Sequence, residues 1–573
     1  MYIEMKTFKT YIQTLGVLVL SMLLAAACGD SFLDVESKTE SNSENFFKSE
    51  SDAYRALVGC YAGWRQTTSD GGISIYLTSN MMSDECFAGA GMSDAENYNI
   101  IDEFDMSNAP SYTSLWETDW SSYYTCINRC NDLITHEDQI TWNDETLHQT
   151  YMGEVYGLRA LCYFDMVRMF ENIPLLTEPS DENIPQADPD EVYDLIFSDL
   201  KYAIENIPAD AYPKANASSN EGHVTRYGAE GILARAYLYY TGRFGTEPDG
   251  CTKAEALAAC EDIISSGEYG LIYPFSSLWP ASSCGALSDD ENGSYEEWLA
   301  NSTYAGIGNE EWVLTMRCNY TQDYDGNNDG NRWVINLGIR GISSIDCSPY
   351  GYGWGICTVN PELVAAFPSG DQRLEASIID IDGEGISSKS GFEDDCIADQ
   401  REYTGYYIKK YTPMATTSCT SLPILWGAPG DVMTSQWQDV VILRYSDVLL
   451  MAAELGSSNA QTYFNMVRER AYTEEDGTTI NSNYSVKTVS TANIMEERRL
   501  EFCFEGLRYY DLLRQGISTA ASTIATTQSV LNGGNSATVT ILASNITEKN
   551  GLCQIPNNQI TLSNYVLEQN AGW

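Results

Sequence analysis

One short segment of the chain carries oxygen donors at the spacing used by calcium-binding loops. In Asp325–Gly330, the residues Asp325, Asn327 and Asp329 alternate with glycine and asparagine. Position twelve of such a loop normally supplies a bidentate glutamate, but here it is Asn336. Turns rich in Asn, Asp and Gly also form without metal. The three residues are therefore weak candidates for calcium, and no other cofactor is expected.

Cysteines and histidines do not form a metal-binding pattern. The chain has 16 cysteines without a C-x-x-C pair and only three histidines, so a structural zinc site is not expected. Cys162, Cys260 and Cys503 fall on apolar helical faces, which predicts that most cysteines are small buried hydrophobic residues. A few loop disulfides, such as one between Cys347 and Cys357, are also expected.

Carboxylates are abundant, but no pair of them identifies a catalytic site. A glycoside hydrolase needs two carboxylates about 5–5.5 or 6.5–9.5 Å apart across a cleft. Among 81 aspartates and glutamates such pairs arise by chance. The formal net charge of -49 argues against nucleic acid, whose phosphates need clustered Lys and Arg. The composition fits a soluble extracytoplasmic body that binds a neutral ligand.

The first 27 residues have the pattern of a removable targeting segment. Two lysines precede the apolar run Leu15–Leu24, which is shorter than the about 20 residues of a membrane span. Leu24–Cys28 resembles a bacterial lipobox, in which the cysteine is acylated and becomes the mature N-terminus. We expect a signal peptide at 1–27 and a stable lipid anchor on Cys28. An ordinary secretory peptide that ends near a cysteine is the alternative.

Apolar residues recur at helical spacing through most of the N-terminal half and again near the C-terminus. The pattern predicts helices at Ser51–Trp64, Trp116–Ile134, Tyr151–Phe170, Asp188–Ile207, Ala229–Tyr240, Leu257–Ile264, Ser446–Leu455 and Ala460–Arg470. Asp188–Glu191 is a complete helix-start signal, with an N-cap aspartate, a proline at N1 and a glutamate at N3. Successive amphipathic helices with short connections resemble tetratricopeptide-type pairs, but the strict consensus of that repeat is absent, so the periodicity alone indicates only stacked helical hairpins.

The segment Ile494–Gly516, read as one helix, combines two apolar stripes with a ladder of charges. The charges are Arg498, Glu501, Glu505, Arg508, Asp511 and Arg514. A helix that is apolar on two sides is expected between other helices, so we interpret the ladder as internal cross-bracing rather than a solvated face.

The helical spacing fades between about Tyr269 and Val441. Gly, Asn, Asp, Ser and aromatic residues dominate this region, with strand-like pieces at Glu311–Met316 and Val440–Arg444. A loop-rich region of this length inside a compact protein usually has a function.

A series of short motifs occurs in order along the chain. They are CGDSFLD at 28–34, AYRALVGCY at 53–61, LRALCYFD at 158–165, IPL at 173–175, LRYSDVLL at 443–450, the segment Ile494–Gly516 and IPNNQI at 555–560. Together with the lipobox, they resemble the SusD/RagB family of outer-membrane nutrient-binding lipoproteins.

This resemblance implies a mainly α fold, in which a tetratricopeptide-like scaffold of helical hairpins carries a loop-rich, mixed α/β binding subdomain. We expect an N-terminal helical region at 28–268, the binding subdomain at 269–441 and a C-terminal helical region at 442–573. The resemblance also implies an outer-membrane location facing the cell exterior. The implied partner is a SusC-like TonB-dependent transporter whose mouth the lipoprotein covers.

In this family, glycans lie across an exposed aromatic platform, helped by Asp, Asn and Arg side chains. The apolar face of a sugar suits a Trp or Tyr ring, whereas its hydroxyls need fixed polar partners. Two loop stretches offer both, and their candidate ligand-binding residues are Asp84, Tyr98, Asn99 and Tyr112 in one and Tyr324, Trp333, Tyr350, Tyr352 and Trp354 in the other. Asp84 lies in a stretch that resembles a family segment with a ligand-contacting aspartate. For each aromatic residue, packing within the loop is the alternative.

Three functions remain open from the sequence. The leading one is non-catalytic capture of oligosaccharides, or of another polymer-derived nutrient, for delivery to the transporter. The second is an acidic glycoside hydrolase, and the third is a helical-repeat adaptor that binds peptides in a concave groove. Because the family also includes members that take up peptides or glycoproteins, the resemblance leaves the ligand class open.

Overall fold

A computed structural model describes residues 46–68, 72–94, 97–107, 109–212, 222–321, 330–429, 432–433 and 435–573 of the protein. The predicted signal peptide and Cys28 lie outside these residues. The described part is mainly helical, and its twelve strands form two-stranded sheets. None of its helices combines the length and the apolar character that a membrane span requires.

The helices and strands are numbered in chain order. The helices are α1 (Glu50–Gln66), α2 (Ile75–Met81), α3 (Asn97–Asp102), α4 (Glu117–Thr135), α5 (Glu145–Phe170), α6 (Pro189–Asn206), α7 (Arg226–Phe244), α8 (Lys253–Ser266), α9 (Tyr295–Ala300), α10 (Arg332–Leu337), α11 (Pro361–Ala366), α12 (Arg373–Ser377), α13 (Phe392–Asp395), α14 (Leu422–Leu425), α15 (Tyr445–Glu454), α16 (Ala460–Ala471), α17 (Thr491–Glu501), α18 (Arg508–Leu513), α19 (Ile517–Ile524), α20 (Ala543–Glu548) and α21 (Asn557–Leu562). The strands are β1 (Cys86–Ala88), β2 (Ile173–Pro174), β3 (Gln186–Ala187), β4 (Trp312–Met316), β5 (Ile339–Arg340), β6 (Tyr352–Gly353), β7 (Cys357–Val359), β8 (Ile378–Asp380), β9 (Tyr406–Ile408), β10 (Val440–Arg444), β11 (Thr526–Asn532) and β12 (Asn535–Ile541).

The long helices form a continuous stack that joins both ends of the chain. Helix α1 packs on α4 and α5, α5 on α6, α6 on α7, α7 on α8, and α8 on α15. All eight predicted helices are present, and the predicted capping box at Asp188 opens α6. Gly231 allows α7 to approach strand β10, because a Cβ at this position would lie 2.1 Å from Leu443 Cδ2. The structure confirms the predicted stack of hairpins.

The prediction of one helix over Ile494–Gly516 is wrong, because the chain breaks between α17 and α18. Phe504 and Gly506 adopt left-handed backbone conformations, with φ of 66° and 77°. Glu85 accepts the Phe504 N–H at 3.1 Å, and the Tyr76 ring leaves no room for a Cβ at Gly506. Partners more than 400 residues earlier in the chain therefore stabilise the break.

Five of the six charges of the ladder are buried, as predicted, and two of them, Glu501 and Glu505, belong to an ionic cluster. The cluster contains the anions Glu311, Asp371, Glu497, Glu501 and Glu505 and the cations Arg373, Lys410, Arg444, Arg468 and Arg470. Arg444 binds Glu501 Oε1 at 2.9 Å and Glu505 Oε2 at 2.8 Å, and every member is at most 6% exposed. Because five anions meet five cations, the buried charges of the cluster are balanced.

The loop-rich region contains short helices and small sheets, as predicted. Strands β4 and β10, at the two predicted strand-like pieces, pair antiparallel. The predicted Cys347–Cys357 disulfide is wrong, because both thiols are free. Cys357 lies opposite Ala88 in the β1–β7 pair, so its side chain shares a sheet face with Cys86 and is the hydrogen-bonding neighbour of that thiol. Thirteen of the fifteen described cysteines are buried, which confirms their prediction as small hydrophobic residues.

Candidate ligand-binding site

Tyr352 and Trp354 lie at the protein surface beside a pair of short parallel strands. β5 pairs with β6, where Tyr352 is opposite Ile339. The strands approach closely because Gly353 lacks a Cβ, which would lie 2.3 Å from the Gly338 Cα. The Trp354 N–H donates to the Ile335 carbonyl at 2.8 Å. Both residues are half-buried, so part of each remains accessible to solvent.

A cavity of about 140 Å³ opens next to these strands. Tyr350, Tyr352 and hydroxyl-bearing residues from the 343 and 416–421 segments line it, including Ser343, Thr416 and Ser421. This lining combines aromatic rings with hydroxyl groups, which is the combination a sugar ring requires.

Tyr350 forms the inner wall of this cavity. Its side chain is 4% exposed, and its hydroxyl donates to Glu384 Oε2 at 2.6 Å. Burial and the negative charge of Glu384 raise the pKa of Tyr350 well above its ordinary value. The hydroxyl is thus committed within the protein, and Tyr350 contributes to the cavity wall without a free polar group.

Arg340 connects the two stretches that the sequence predicted. Its Nη1 donates to the Trp354 carbonyl at 3.2 Å and lies 3.1 Å from Asp94 Oδ2. Its Nε donates to Asp399 Oδ2 at 2.7 Å. Gly91 packs against the guanidinium, where a Cβ would come within 2.0 Å of Nη2. The arginine therefore holds the 91–94 segment beside Trp354.

Asn99 is engaged in internal hydrogen bonds. Its Nδ2 donates to the Ala88 carbonyl at 3.2 Å and to Glu402 Oε1 at 2.6 Å, while Arg401 Nη1 donates to its Oδ1 at 3.3 Å. Both amide hydrogens are therefore used, and Oδ1 can accept one further hydrogen bond. Asn99 positions Arg401, and only its oxygen is available to a ligand.

Tyr98 and Tyr112 are both half-buried, but they lie in different surroundings. Tyr98 precedes Asn99 on α3 and packs against the core. The Tyr112 carbonyl accepts from Gln554 Nε2 at 3.2 Å, so its segment lies against the C-terminal part of the chain. Tyr98 is connected to the residues around Arg340 by its chain neighbour Asn99. No contact of Tyr112 with those residues is seen in the described part of the chain.

Asp84 and Trp333, predicted as ligand contacts, lie in the core. Asp84 is 4% exposed and binds Arg508 Nε at 2.7 Å and Arg499 Nη2 at 2.8 Å. Burial alone would raise the pKa of Asp84, but the two arginines hold it below its ordinary value. Trp333 is 2% exposed, and its ring lies 4.3 Å from that of Tyr411. The structure gives both residues a packing role, because long-range partners occupy their side chains.

Tyr324 and the calcium candidates Asp325, Asn327 and Asp329 lie outside the described residues, so both predictions stay predictions. Among the residues that the structure describes, no group of three or more His, Cys, Asp or Glu side chains is arranged to hold a metal ion.

Sequence reasoning missed Arg340 and Arg401, which organise the site. A signal was present, since the chain has only 32 lysines and arginines against 81 acids. An arginine within a glycine-rich loop of such a chain is unusual, and a specific role is expected for it. A second aromatic group, in which the half-buried Trp426 lies 5.5 Å from the Tyr320 ring, makes no ring contact with Tyr352 or Trp354 in the described residues.

These features define a class of protein: a helical-hairpin scaffold that presents aromatic and polar residues on loops. Two family models match this chain. One, described as "SusD family", matches residues 313–573, and the other, described as "Starch-binding associating with outer membrane", matches residues 31–238. The two matches together cover most of the chain, which belongs to the SusD/RagB family.

Individual relatives extend this match to nearly the whole chain. A SusD-like protein of Formosa agariphila is 26% identical over 487 residues, covering 82% of this chain and 85% of that protein. A solved structure titled "Laminarin binding SusD-like protein" is 25% identical, covers 92% of this chain and 100% of its own, and has a TM-score of 0.66. Surface glycan-binding protein A from Bacteroides thetaiotaomicron is 22% identical, with 92% and 99% coverage and a TM-score of 0.68. These matches confirm the SusD-like fold.

Proposed function

We propose that this protein is a cell-surface lipoprotein that binds oligosaccharides, or related polymer-derived nutrients, and delivers them to a SusC-like TonB-dependent transporter. The observation that carries the proposal is a hydroxyl-lined cavity with the half-buried Tyr352 in its wall and the half-buried Trp354 two residues further along the chain. Family membership supports it, because structural neighbours are named as glycan-binding proteins and one was solved with laminarihexaose.

The physical basis is stacking on a prepared surface. The β5–β6 pair and Arg340 fix the backbone on both sides of Trp354, so little ordering is needed when a ligand binds. A sugar ring stacked on the accessible part of an indole buries apolar C–H groups, while hydroxyls such as those of Ser343 and Ser421 supply polar partners. Such a surface recognises a neutral chain without needing catalytic groups.

Hydrolysis is the main competing function. Solved structural neighbours are named as binding proteins rather than hydrolases, which favours capture without cleavage. To decide between the two, the body starting after Cys28 should be screened on a glycan array, and the bound glycans incubated with it and separated by chromatography. Binding without cleavage products is expected. Release of shorter glycans by the purified protein would overturn the proposal in favour of a hydrolase.

A peptide-binding adaptor would place its ligand elsewhere, in the groove of the helical stack. That function predicts that substitutions on groove-facing helix residues abolish binding while loop aromatics have no effect. Our proposal predicts the reverse for a confirmed glycan.

Lipidation of Cys28 is the proposed means of attachment to the outer membrane. The matched family description, "Starch-binding associating with outer membrane", supports this location. The substitution Cys28→Ser should move the protein from the membrane fraction to the soluble fraction, because the acyl chains that anchor it are lost. Retention in the membrane fraction would contradict the anchor, and co-purification of a TonB-dependent transporter with the wild-type protein tests the partner.

A further inference from the structure

Two buried carboxyl groups, of Asp102 and Glu402, face each other behind Asn99. Asp102 ends α3 and is fully buried, and Glu402 is 4% exposed in the segment after α13. The two groups are hydrogen-bonding neighbours. Their contact joins α3 to the segment that carries Arg401.

The hydrogen bonds of the four carboxyl oxygens require a proton between Asp102 and Glu402. Asp102 Oδ2 accepts the Ala88 N–H at 2.9 Å, and Glu402 Oε1 accepts from Asn99 Nδ2 at 2.6 Å. The other two oxygens, Asp102 Oδ1 and Glu402 Oε2, are buried without a donor. A carboxylate can only accept hydrogen bonds, whereas a protonated carboxyl also donates one. A single proton on either group therefore satisfies both remaining oxygens.

The charges around the pair do not favour two carboxylates. Glu103, on the turn after α3, adds a negative charge, and burial together with this charge raises the pKa of both carboxyls. The other neighbours are neutral: Thr358 of β7 donates to the Glu402 carbonyl at 2.6 Å, and Asn532 of β11 accepts the Glu402 N–H at 2.7 Å.

The cation of this neighbourhood, Arg401, is directed to other acceptors. Besides Asn99 Oδ1, it donates to the carbonyl oxygens of Met92 at 3.2 Å and Asp94 at 2.9 Å. Its hydrogen bonds thus hold the 92–94 segment, which Arg340 in turn ties to Trp354.

We propose that Asp102 and Glu402 share one proton, and that this proton makes their contact a pH-sensitive clasp behind the candidate binding surface. With the proton present, one carboxyl donates to the other and α3 is joined to the Arg401–Glu402 segment. Its loss leaves two like charges in a buried site, where their repulsion is strong. The Asn99–Glu402 hydrogen bond then breaks, and the segment that positions Arg401 loosens.

The sign of the pH dependence follows from linkage. Because the folded-state pKa lies above the unfolded value, the stability contributed by the clasp is complete at acid pH. It is lost as the pH rises through the folded-state pKa. This pH dependence is expected whichever ligand the protein binds.

Hydrogen exchange of the full-length protein in detergent, measured by mass spectrometry, tests the clasp. Peptides covering 86–103 and 399–404 should be followed at about pH 6 and about pH 9, after correction for the intrinsic exchange rate. Wild-type protection should fall by up to about tenfold per pH unit as the pH rises toward the folded-state pKa, and should level off above it. In Asp102→Asn, the amide can donate permanently to Glu402, so protection should persist at about pH 9. Glu402→Gln provides a second variant should the first not fold, and Asp138→Asn, at an exposed carboxylate, is the control.

Two results would overturn the proposal. One is wild-type protection that does not change with pH, or that falls equally in Asp102→Asn and Glu402→Gln. The other is protection that calcium chloride restores at about pH 9 and EDTA removes at about pH 6, because a cation rather than a proton would then hold the two carboxyls together.

Discussion

The pKa values of buried acids are shifted in opposite directions at Glu501 in the scaffold and behind the candidate binding surface. In the scaffold, Glu501 is bound by Arg373, Arg444 and Arg470, and although burial opposes it, these cations hold the pKa of Glu501 far below its ordinary value. Behind the candidate binding surface, burial raises the pKa of Asp102 and Glu402. The first region is held by matched permanent charges and the second by a titratable contact.

The difference predicts that the ionic cluster determines the stability of the fold, whereas the Asp102–Glu402 contact allows local change near the candidate binding surface. Removal of any member of the scaffold cluster leaves an uncompensated buried charge, so each member is expected to be needed for stability. We expect the Asp102–Glu402 contact behind the candidate binding surface to open locally without disruption of the ionic cluster. We therefore expect substitutions in the scaffold to change unfolding, and substitutions at the surface to change binding.

The largest effect is expected for Glu501→Gln. Loss of this anion leaves three buried arginines short of a partner, which should lower the free energy of unfolding by about 3–5 kcal/mol. Urea denaturation measures the change, with Glu548→Gln at an exposed position as the control. A loss below about 1 kcal/mol would mean that the cluster is not central to the scaffold.

Acid should weaken the scaffold through Asp447. Arg498 and Arg235 lower the pKa of this buried carboxyl to about 2, against the effect of burial. Because the folded-state pKa is depressed, the stabilisation is present above the unfolded value of about 3.8 and is lost as the pH falls toward about 2. The destabilisation by Asp447→Asn, about 2 kcal/mol at neutral pH, should therefore shrink at about pH 3. An equal destabilisation at both pH values would contradict this account.

Arg508→Ala should lower stability without selectively changing ligand affinity. The substitution removes two hydrogen bonds to Asp84, but Arg499 remains 2.8 Å from that carboxylate, so the expected loss is about 2 kcal/mol. Unfolding curves and glycan titrations of the same preparation measure both quantities. A selective loss of affinity at unchanged stability would instead support Asp84 as a ligand-binding residue, as the sequence predicted.

The sequence predicted the parts of the fold that rest on local patterns. Helical spacing and the Asp188 capping box give α6 and its neighbours, since their signals lie within a few residues. The break between α17 and α18 could not be predicted, because it depends on Glu85 accepting the Phe504 N–H. The position of Asp84 depends in the same way on Arg508, 424 residues away.

The candidate site was predicted only in part for the same reason. Aromatic residues in a loop-rich region pointed to Tyr352 and Trp354, which the structure places at the surface. The loop composition could not distinguish them from Trp333, whose burial depends on Tyr76 and Tyr411. Which of the surface residues bind ligand stays a prediction until binding is measured.

The smallest effect in free energy gives the most direct test of the central claim that Trp354 belongs to the ligand platform. Affinity for a glycan identified on the array should be measured by calorimetric titration of the wild-type, Trp354→Ala and Trp426→Ala proteins, the last being a matched half-buried tryptophan in the other aromatic group. We expect Trp354→Ala to weaken binding about tenfold, or about 1.4 kcal/mol, while Trp426→Ala binds like the wild type. Unchanged affinity in Trp354→Ala would contradict the placement of the site.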